Sequence, residues 1–283
     1  MPARLEDPVL GVLLLDAEHG FSAVTIDPGF PVVRVNAEDR PNANGQHDDT
    51  ALFGARAVTV QALVMGTATT SRRELVERVR AYCHPARRPT LVWHEGDGVE
   101  RRADLRGEGA TAPLTGSLGR ELTATWSCPS GVLYAAEESV VEVPAGGIPE
   151  PGIRLPVRFP VRFPRTTLAG TVAVANGDVY NTDADHVTQL WGPCTSPRLV
   201  NVTTGLEVCL PGLQLAAAQY VEVNTAAPSL LLNGRGEESV WGWQEPGVSE
   251  LFQLAGGVNA LRYAPAKWSG RARAVVTFRP ATL

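Results

Sequence analysis

The sequence predicts a mainly β fold in two domains, a first β domain with one α-helix and a second that is all β. Three observations predict it. Apolar residues recur with period two in several short runs, which marks strands with one buried face. One segment alone carries a capped helical stripe. The stretch from Pro144 to Gly152 holds three prolines and three glycines and can continue neither pattern.

The helix opens at Ser71, with Glu74 three residues on, a capping box. Its apolar stripe is Leu75, Val76, Val79, Tyr82 and Cys83, and Pro85 ends it, giving a helix over 71–84. Arg72, Arg73, Glu77, Arg78 and Arg80 take the polar positions. Among the strands, Val58, Val60, Ala62 and Val64 alternate with Thr59, Gln61, Leu63 and Met65. Leu91 to Trp93 is a short apolar run, and Leu122, Ala124 and Trp126 alternate with Glu121, Thr123 and Thr125. Val221 and Val223 alternate with Glu222 and Asn224. The last strand sets Ala272, Ala274, Val276 and Phe278 on one face and Arg271, Arg273, Thr277 and Arg279 on the other. The turn dipeptides Asn176-Gly177 and Asn233-Gly234 fit antiparallel pairing. Residues 36–56 form a long polar segment, and a loop of that length is usually functional. These signs divide the chain into a domain over 1–143, a linker over 144–166 and a domain over 167–283.

Composition agrees. Apolar residues make up 44% of the 283, enough for a packed core. The 28 glycines and 22 prolines are about 18% of the chain, above the ~12% average, which implies many turns. The net charge of −5 disfavours an extended nucleic-acid-binding face. Of 25 basic residues only Lys267 is a lysine. The run Val9 to Leu15 is too short to span a membrane and lacks a cleavage site, so neither anchor nor leader is expected. Cys83, Cys128, Cys194 and Cys209 lie far apart with no paired spacing, so they read as reduced, small apolar residues.

No catalytic motif emerges. Ser117 and Ser130 lack the flanking glycines of a nucleophile elbow. His19, His47, His84, His94 and His186 are scattered, and His94-Glu95 is not completed by a second histidine. His47, Asp48 and Asp49, or Asp178, Asn181, Asp183 and Asp185, offer oxygen ligands for a cation, or simply solvated turns. Arg87 with Arg88 and Arg101 with Arg102 read as surface pairs for carboxylates. Trp191, Trp241, Trp243 and Trp268 offer rings for stacking sugars, or core packing; Trp241 and Trp243 share a face if they lie in a strand. Asn201-Val202-Thr203 matches a glycosylation sequon. No catalytic, cofactor-binding or metal-binding residue is assigned.

The ordered set of motifs resembles the distal tail proteins of siphoviruses, also called phage minor tail proteins. It comprises Arg40 to Gly45, Asp49-Thr50, Phe53-Gly54-Ala55-Arg56, the strand at Val58 and the single helix, then Arg88-Pro89-Thr90-Leu91 and Trp126 to Tyr134. Phe159-Pro160-Val161-Arg162-Phe163-Pro164 looks like the run that opens the family's C-terminal domain. Gly192-Pro193, Asn201 to Gly205, Val221 to Thr225, Leu232-Asn233-Gly234, Leu254 to Asn259 and Phe278-Arg279 follow. One departure is that Trp126 to Gly131 lacks the acid–proline–arginine expected before Leu133-Tyr134.

The resemblance implies a structural virion protein without enzymatic activity, made in the host cytoplasm. It implies a ring-forming, tail-tube-like β-sandwich or split barrel with one helix, and a galectin-like C-terminal β-sandwich. It implies a hexamer at the distal end of the tail, joining the tail tube protein to a tail-tip hub or tail-associated protein and to a receptor-binding protein. DNA passes the lumen without sequence-specific contact, and an acidic chain suits that passage. The segment 36–56 becomes an inter-subunit or tube-facing arm, dispensable for the fold. The alternative from another class is a carbohydrate-binding module for host cell-wall glycan.

Overall fold

The computed structural model describes residues 3–35, 38, 39, 44, 46, 47, 52–96, 98–115, 119–146, 171–247 and 249–283. The chain forms two compact units, Met1–Ala136 with Thr282–Leu283, and Glu137–Ala281. The division falls before the expected boundary at 143. The strand Ser139–Pro144 pairs along its length with Arg273–Phe278, so it belongs to the second unit. Most of the expected linker over 144–166 lies outside the described residues.

In the first unit, one sheet orders the strands Gly11–Leu15, Ala3–Asp7, Thr90–His94, Glu100–Asp104 and Leu133–Ala135, all antiparallel. A second orders Arg106–Thr111, Gly119–Cys128, Arg56–Val64 and Phe21–Asp27. The predicted alternations hold. Val58, Val60, Ala62 and Val64 are buried, opposite Leu122, Ala124 and Trp126 of the paired strand. With Leu5, Leu13, Leu15, Phe21 and Leu91 they make one core. Each such side chain contributes about 1.5–3 kcal/mol by leaving water.

The helix spans Arg72–Tyr82. Ser71 caps it, its Oγ accepting the Glu74 N–H at 3.2 Å, and Leu75, Val76, Val79 and Tyr82 are buried. The last turn is pinned twice. The Trp126 indole N–H donates to the Tyr82 carbonyl at 3.3 Å, and the Tyr82 hydroxyl donates to the Gly11 carbonyl at 3.0 Å. Cys83 closes the helix against Gly107, which sits at a β-bulge. A methyl group on Gly107 would lie inside the Cys83 backbone. Here glycine serves close approach, not a left-handed turn.

The segment read as a free arm over 36–56 runs into the core. Arg56 begins the long central strand and is buried, so a deletion through 56 would cut the fold. Val33–Arg34 pairs with Leu52–Phe53 nearby. Most of 36–51 lies outside the described residues.

The second unit is an antiparallel β-sandwich. One sheet orders Ser139–Pro144, Arg273–Phe278, His186–Trp191, Tyr220–Asn224 and Ser229–Leu232. The other orders Val172–Asn176, Gly257–Tyr263, Arg198–Asn201 and Glu207–Cys209. Val221 and Val223, and Ala274, Val276 and Phe278, face inward as the alternation predicts. Asn233 and Gly234 both take positive φ and close a tight turn, the Arg235 N–H donating to the Leu232 carbonyl at 3.1 Å.

Gly107→Ala is expected to destabilise the chain by about 1–3 kcal/mol, because backbone rather than a flexible side chain must move. Denaturant unfolding measures this; a change under about 0.5 kcal/mol would mean the seam is looser than its geometry.

Candidate functional site

Three regions stand out: an apolar hairpin and, apart from it, an edge groove in the first unit, and a polar interior in the second.

The hairpin grows from a firm base. The Arg56 Nε–H donates to the Gly131 carbonyl at 2.7 Å, and burial lowers the arginine's proton affinity from its ordinary value. Outward of Arg56, the Gly54 N–H donates to the Val32 carbonyl at 2.7 Å and the Val32 N–H to the Ala55 carbonyl at 3.1 Å. The short ladder Val33–Arg34 with Leu52–Phe53 follows, and Phe30 meets Phe53 edge to face at 6.2 Å. Its apolar side chains stand in solvent. Exposure is 66% for Phe30, 63% for Val32 and 46% for Phe53, and Val33, Val35 and Leu52 lie between. Consecutive strand residues point to opposite faces, so Val33 with Phe53 makes one open apolar face, while Leu52 shares the other with the exposed Arg34.

The strand Gly11–Leu15 ends its sheet. Leu13 and Leu15 turn into the core while Val12 and Leu14 are exposed. Two clefts, of about 260 and 300 Å³, share Val12, Leu13 and Arg78 and so run along this strand beside the helix. Leu75 and the threonines of 67–70 line one end, and Ala81 and Tyr82 the other.

In the second unit, three fully buried asparagines tie loops to strands. Asn176 Nδ2 donates to the carbonyls of Thr182 and Leu254, at 2.8 and 2.9 Å, while its Oδ1 accepts the Ala281 N–H at 3.0 Å. Asn259 Oδ1 accepts from Asn201 Nδ2 at 2.9 Å and from the Ala255 N–H at 3.0 Å. Asn201 is therefore a buried structural residue, not an accessible glycosylation acceptor. His186 joins this interior. Its Nε2–H donates to the Phe252 carbonyl at 2.9 Å, and Nδ1 accepts from the Thr188 hydroxyl at 2.8 Å, which fits the neutral imidazole. Burial holds its pKa down at about 4, against smaller raising effects from the Phe252 carbonyl and Asp185.

The tryptophans separate. Trp191 is flanked by its cross-strand neighbours, Tyr220 at 4.5 Å between ring centroids and the Arg273 guanidinium at 5.5 Å. Trp241 and Trp243 lie in a 3₁₀ turn, not a strand, so the shared-face argument lapses. With Trp268 they keep 40–46% of their surface exposed. Among the acidic turns, Asp185 accepts from Gln253 at 2.8 Å and from Thr225 at 3.2 Å, while Asn181 Oδ1 accepts the Asp178 N–H. Among the described residues no group of three or more His, Cys, Asp and Glu side chains is placed to hold a metal; Asp48, Asp49 and Ser117 lie outside them. Glu95 takes Arg101 at 2.7 Å, and Asp104 takes Arg102 at 3.0 Å. The four cysteines are free; burial pushes Cys83 up to about 12 and raises Cys194 and Cys209.

Sequence reasoning missed the hairpin's open apolar face, although Phe30, Val32, Val33 and Val35 stand in the sequence as an unalternated apolar run. It missed the asparagines because Asn176 was read as a turn residue, Asn201 as a sequon and Asn259 only as part of a motif.

No protein-family model and no curated protein sequence matches the chain. Solved structures do match. SPP1 Dit (gp 19.1), described as a paradigm of the hub adsorption apparatus in phages infecting Gram-positive bacteria, aligns over 99% of this chain and 99% of its own, at 13% identity and a TM-score of 0.65. The chain has the fold of that phage hub protein. The mainly β, Dit-like architecture expected from the motif order is thereby met. Two structures of the phage P2 baseplate in its activated conformation, with Ca and with Sr, match at 12% identity over 98% of this chain and 97% of theirs. Their TM-scores are 0.45 and 0.44, and nothing further rests on them.

A stability effect follows from His186. Its folded pKa lies below the unfolded value of 6.5, so at low pH the unfolded chain binds the extra proton. Stability is full above 6.5 and falls as pH drops towards 4, by about 3 kcal/mol if the shift is fully expressed. In melts from pH 7 to pH 4.5, His186→Gln should lose less of its stability than the unchanged chain. Equal losses would mean the carboxylates alone account for the acid sensitivity.

Proposed function

We propose that this chain is a structural, non-enzymatic subunit of a phage tail, closing into a six-fold ring at the distal end and joining the tail tube to the tail-tip hub. The observation that carries this is the correspondence of fold along the whole chain with SPP1 Dit. The open hairpin and edge strand of the first unit support it, since a ring subunit must present two different surfaces that meet head to tail. The second unit, as a galectin-like sandwich, is then the outward module. The partners are further copies of the chain, the tail tube protein and a tail-tip hub protein.

A second reading has its own observation. Trp241, Trp243 and Trp268 present open aromatic surface, and exposed rings can stack sugars. On that reading the second unit binds host cell-wall glycan.

Light scattering of the purified chain, with negative-stain images of the same peak, tests the first. A hexamer seen as a six-fold ring with an open lumen is expected, without depletion by cell-wall glycan. A monomer at every concentration, depleted by glycan and released by Trp241→Ala with Trp243→Ala, would replace the ring with the glycan module.

A further inference from the structure

We propose that a cleft at one end of the second unit's sandwich binds a neutral saccharide. The site depends neither on ring closure nor on the open tryptophans of the second reading.

The cleft measures about 350 Å³, within the range of about 300–1,000 Å³ that small-ligand sites occupy. It spans both sheets. Asp183 leads into the His186–Trp191 strand and Thr225 follows Tyr220–Asn224, both of one sheet, while Thr204 follows Arg198–Asn201 of the other. The tryptophans lie elsewhere. Trp268 pairs with Cys194, which precedes Arg198–Asn201, so cleft and tryptophan stand off opposite ends of that strand.

The floor is the irregular stretch from Leu251 to Ala255, and it is fixed from behind. His186 holds the Phe252 carbonyl, Ala184 pairs with Leu254 through both backbone groups, and Asn259 takes the Ala255 N–H and carbonyl. Asp185 accepts from the Gln253 amide at 2.8 Å. A ligand therefore meets a wall already ordered and loses no affinity in ordering it.

The lining selects the ligand. Its polar groups come from three loops: the exposed Asp183 carboxylate, the Gln253 Oε1 that the bond to Asp185 leaves over, and the Thr204 hydroxyl. The Thr204 Oγ1 accepts the Leu206 N–H at 3.4 Å, which leaves its O–H to donate. The first two groups only accept, so the ligand must bring donors at separate points. Among the described residues no arginine, lysine or histidine lines the cleft, so an anion finds no counter-charge there. Leu206, Pro228 and Leu251 supply apolar wall. A sugar, with hydroxyls along its edge and C–H groups on its faces, meets both demands. A single ammonium would use one acceptor and leave the others to water. Asp183 repels wall polymers that carry phosphate or carboxylate, so a hexamer that such polymers do not deplete is compatible with this site.

The full chain serves for the test. Saturation-transfer NMR with glucose, galactose, mannose, rhamnose and N-acetylglucosamine reports binding, and titration gives the Kd. At least one of these sugars is expected to bind in the millimolar range. Asp183→Asn should weaken that binding at least about tenfold, the loss of a hydrogen bond to a charged acceptor. Trp241→Ala with Trp243→Ala should leave it unchanged. All three positions are exposed, and unfolding curves check that the variants fold. A panel in which no sugar binds would overturn the site, whatever mass light scattering gives for the chain. Binding that survives Asp183→Asn, or that falls with the tryptophan pair, would overturn it too, and the second case would favour the tryptophan reading. Glucosamine binding alone, abolished by about 0.5 M sodium chloride, would mean an ion pair on Asp183 and overturn the neutral saccharide.

Discussion

The Trp126 indole reaches the carbonyl of Tyr82 in the last turn of the helix, and the Tyr82 hydroxyl reaches on to Gly11. These two bonds and the bare Cα of Gly107 fix where the helix lies. The first unit depends on that position. With the helix in place, Leu75, Val76 and Val79 complete the core that the two sheets share. Displaced, it would leave a buried indole N–H and a buried carbonyl without partners, each costing about 1–3 kcal/mol. The same position sets where the two clefts beside the Gly11–Leu15 strand lie.

Among its described residues the second unit has no α-helix to brace it, and its interior uses polar pins. Asn176 and Asn259 each hold two or more backbone groups of the surrounding loops, the Leu254 carbonyl being shared with the Ala184 N–H. His186 bonds the Phe252 carbonyl, next to the Leu254 segment that Asn176 holds. Buried amides are tolerated because their donors and acceptors are met. The cost is rigidity of requirement, since a hydrophobic residue of similar size at 176 would take away the amide that the Thr182 carbonyl accepts.

How far the sequence speaks depends on how local each feature is. The helix was legible because Ser71, Glu74 and the stripe to Cys83 are neighbours in sequence, and a cap is a local bond. The alternation around Val60, Ala124, Val223 and Val276 was legible because burial on one face is a period of two. The domain boundary was misplaced because nothing within Ser139–Pro144 tells which strand it will pair with. Trp241 and Trp243 fell in a 3₁₀ turn because a spacing of two implies a shared face only in a strand. Asn176 carries two signals at once, a turn with Gly177 and a long-range pin, and only the first is readable locally. Arg56 looked like the end of a polar segment, yet its partner, Gly131, is remote in sequence.

The exposed hairpin is the other feature that packing within the chain does not explain. A domain's own core gains nothing from Phe30, Val32 and Val33 in water, and an apolar ladder of this kind invites uncontrolled pairing. Proteins usually blunt such edges with charge or proline. Here Pro31 and Arg34 serve so within the run from Phe30 to Val35, while the strand Gly11–Leu15 carries neither charge nor proline. Surfaces left this apolar persist when a specific partner covers them. On the ring reading proposed above, two different surfaces of one chain meet head to tail, and such a series closes only if the rotation between copies divides a full turn; otherwise it grows as a filament.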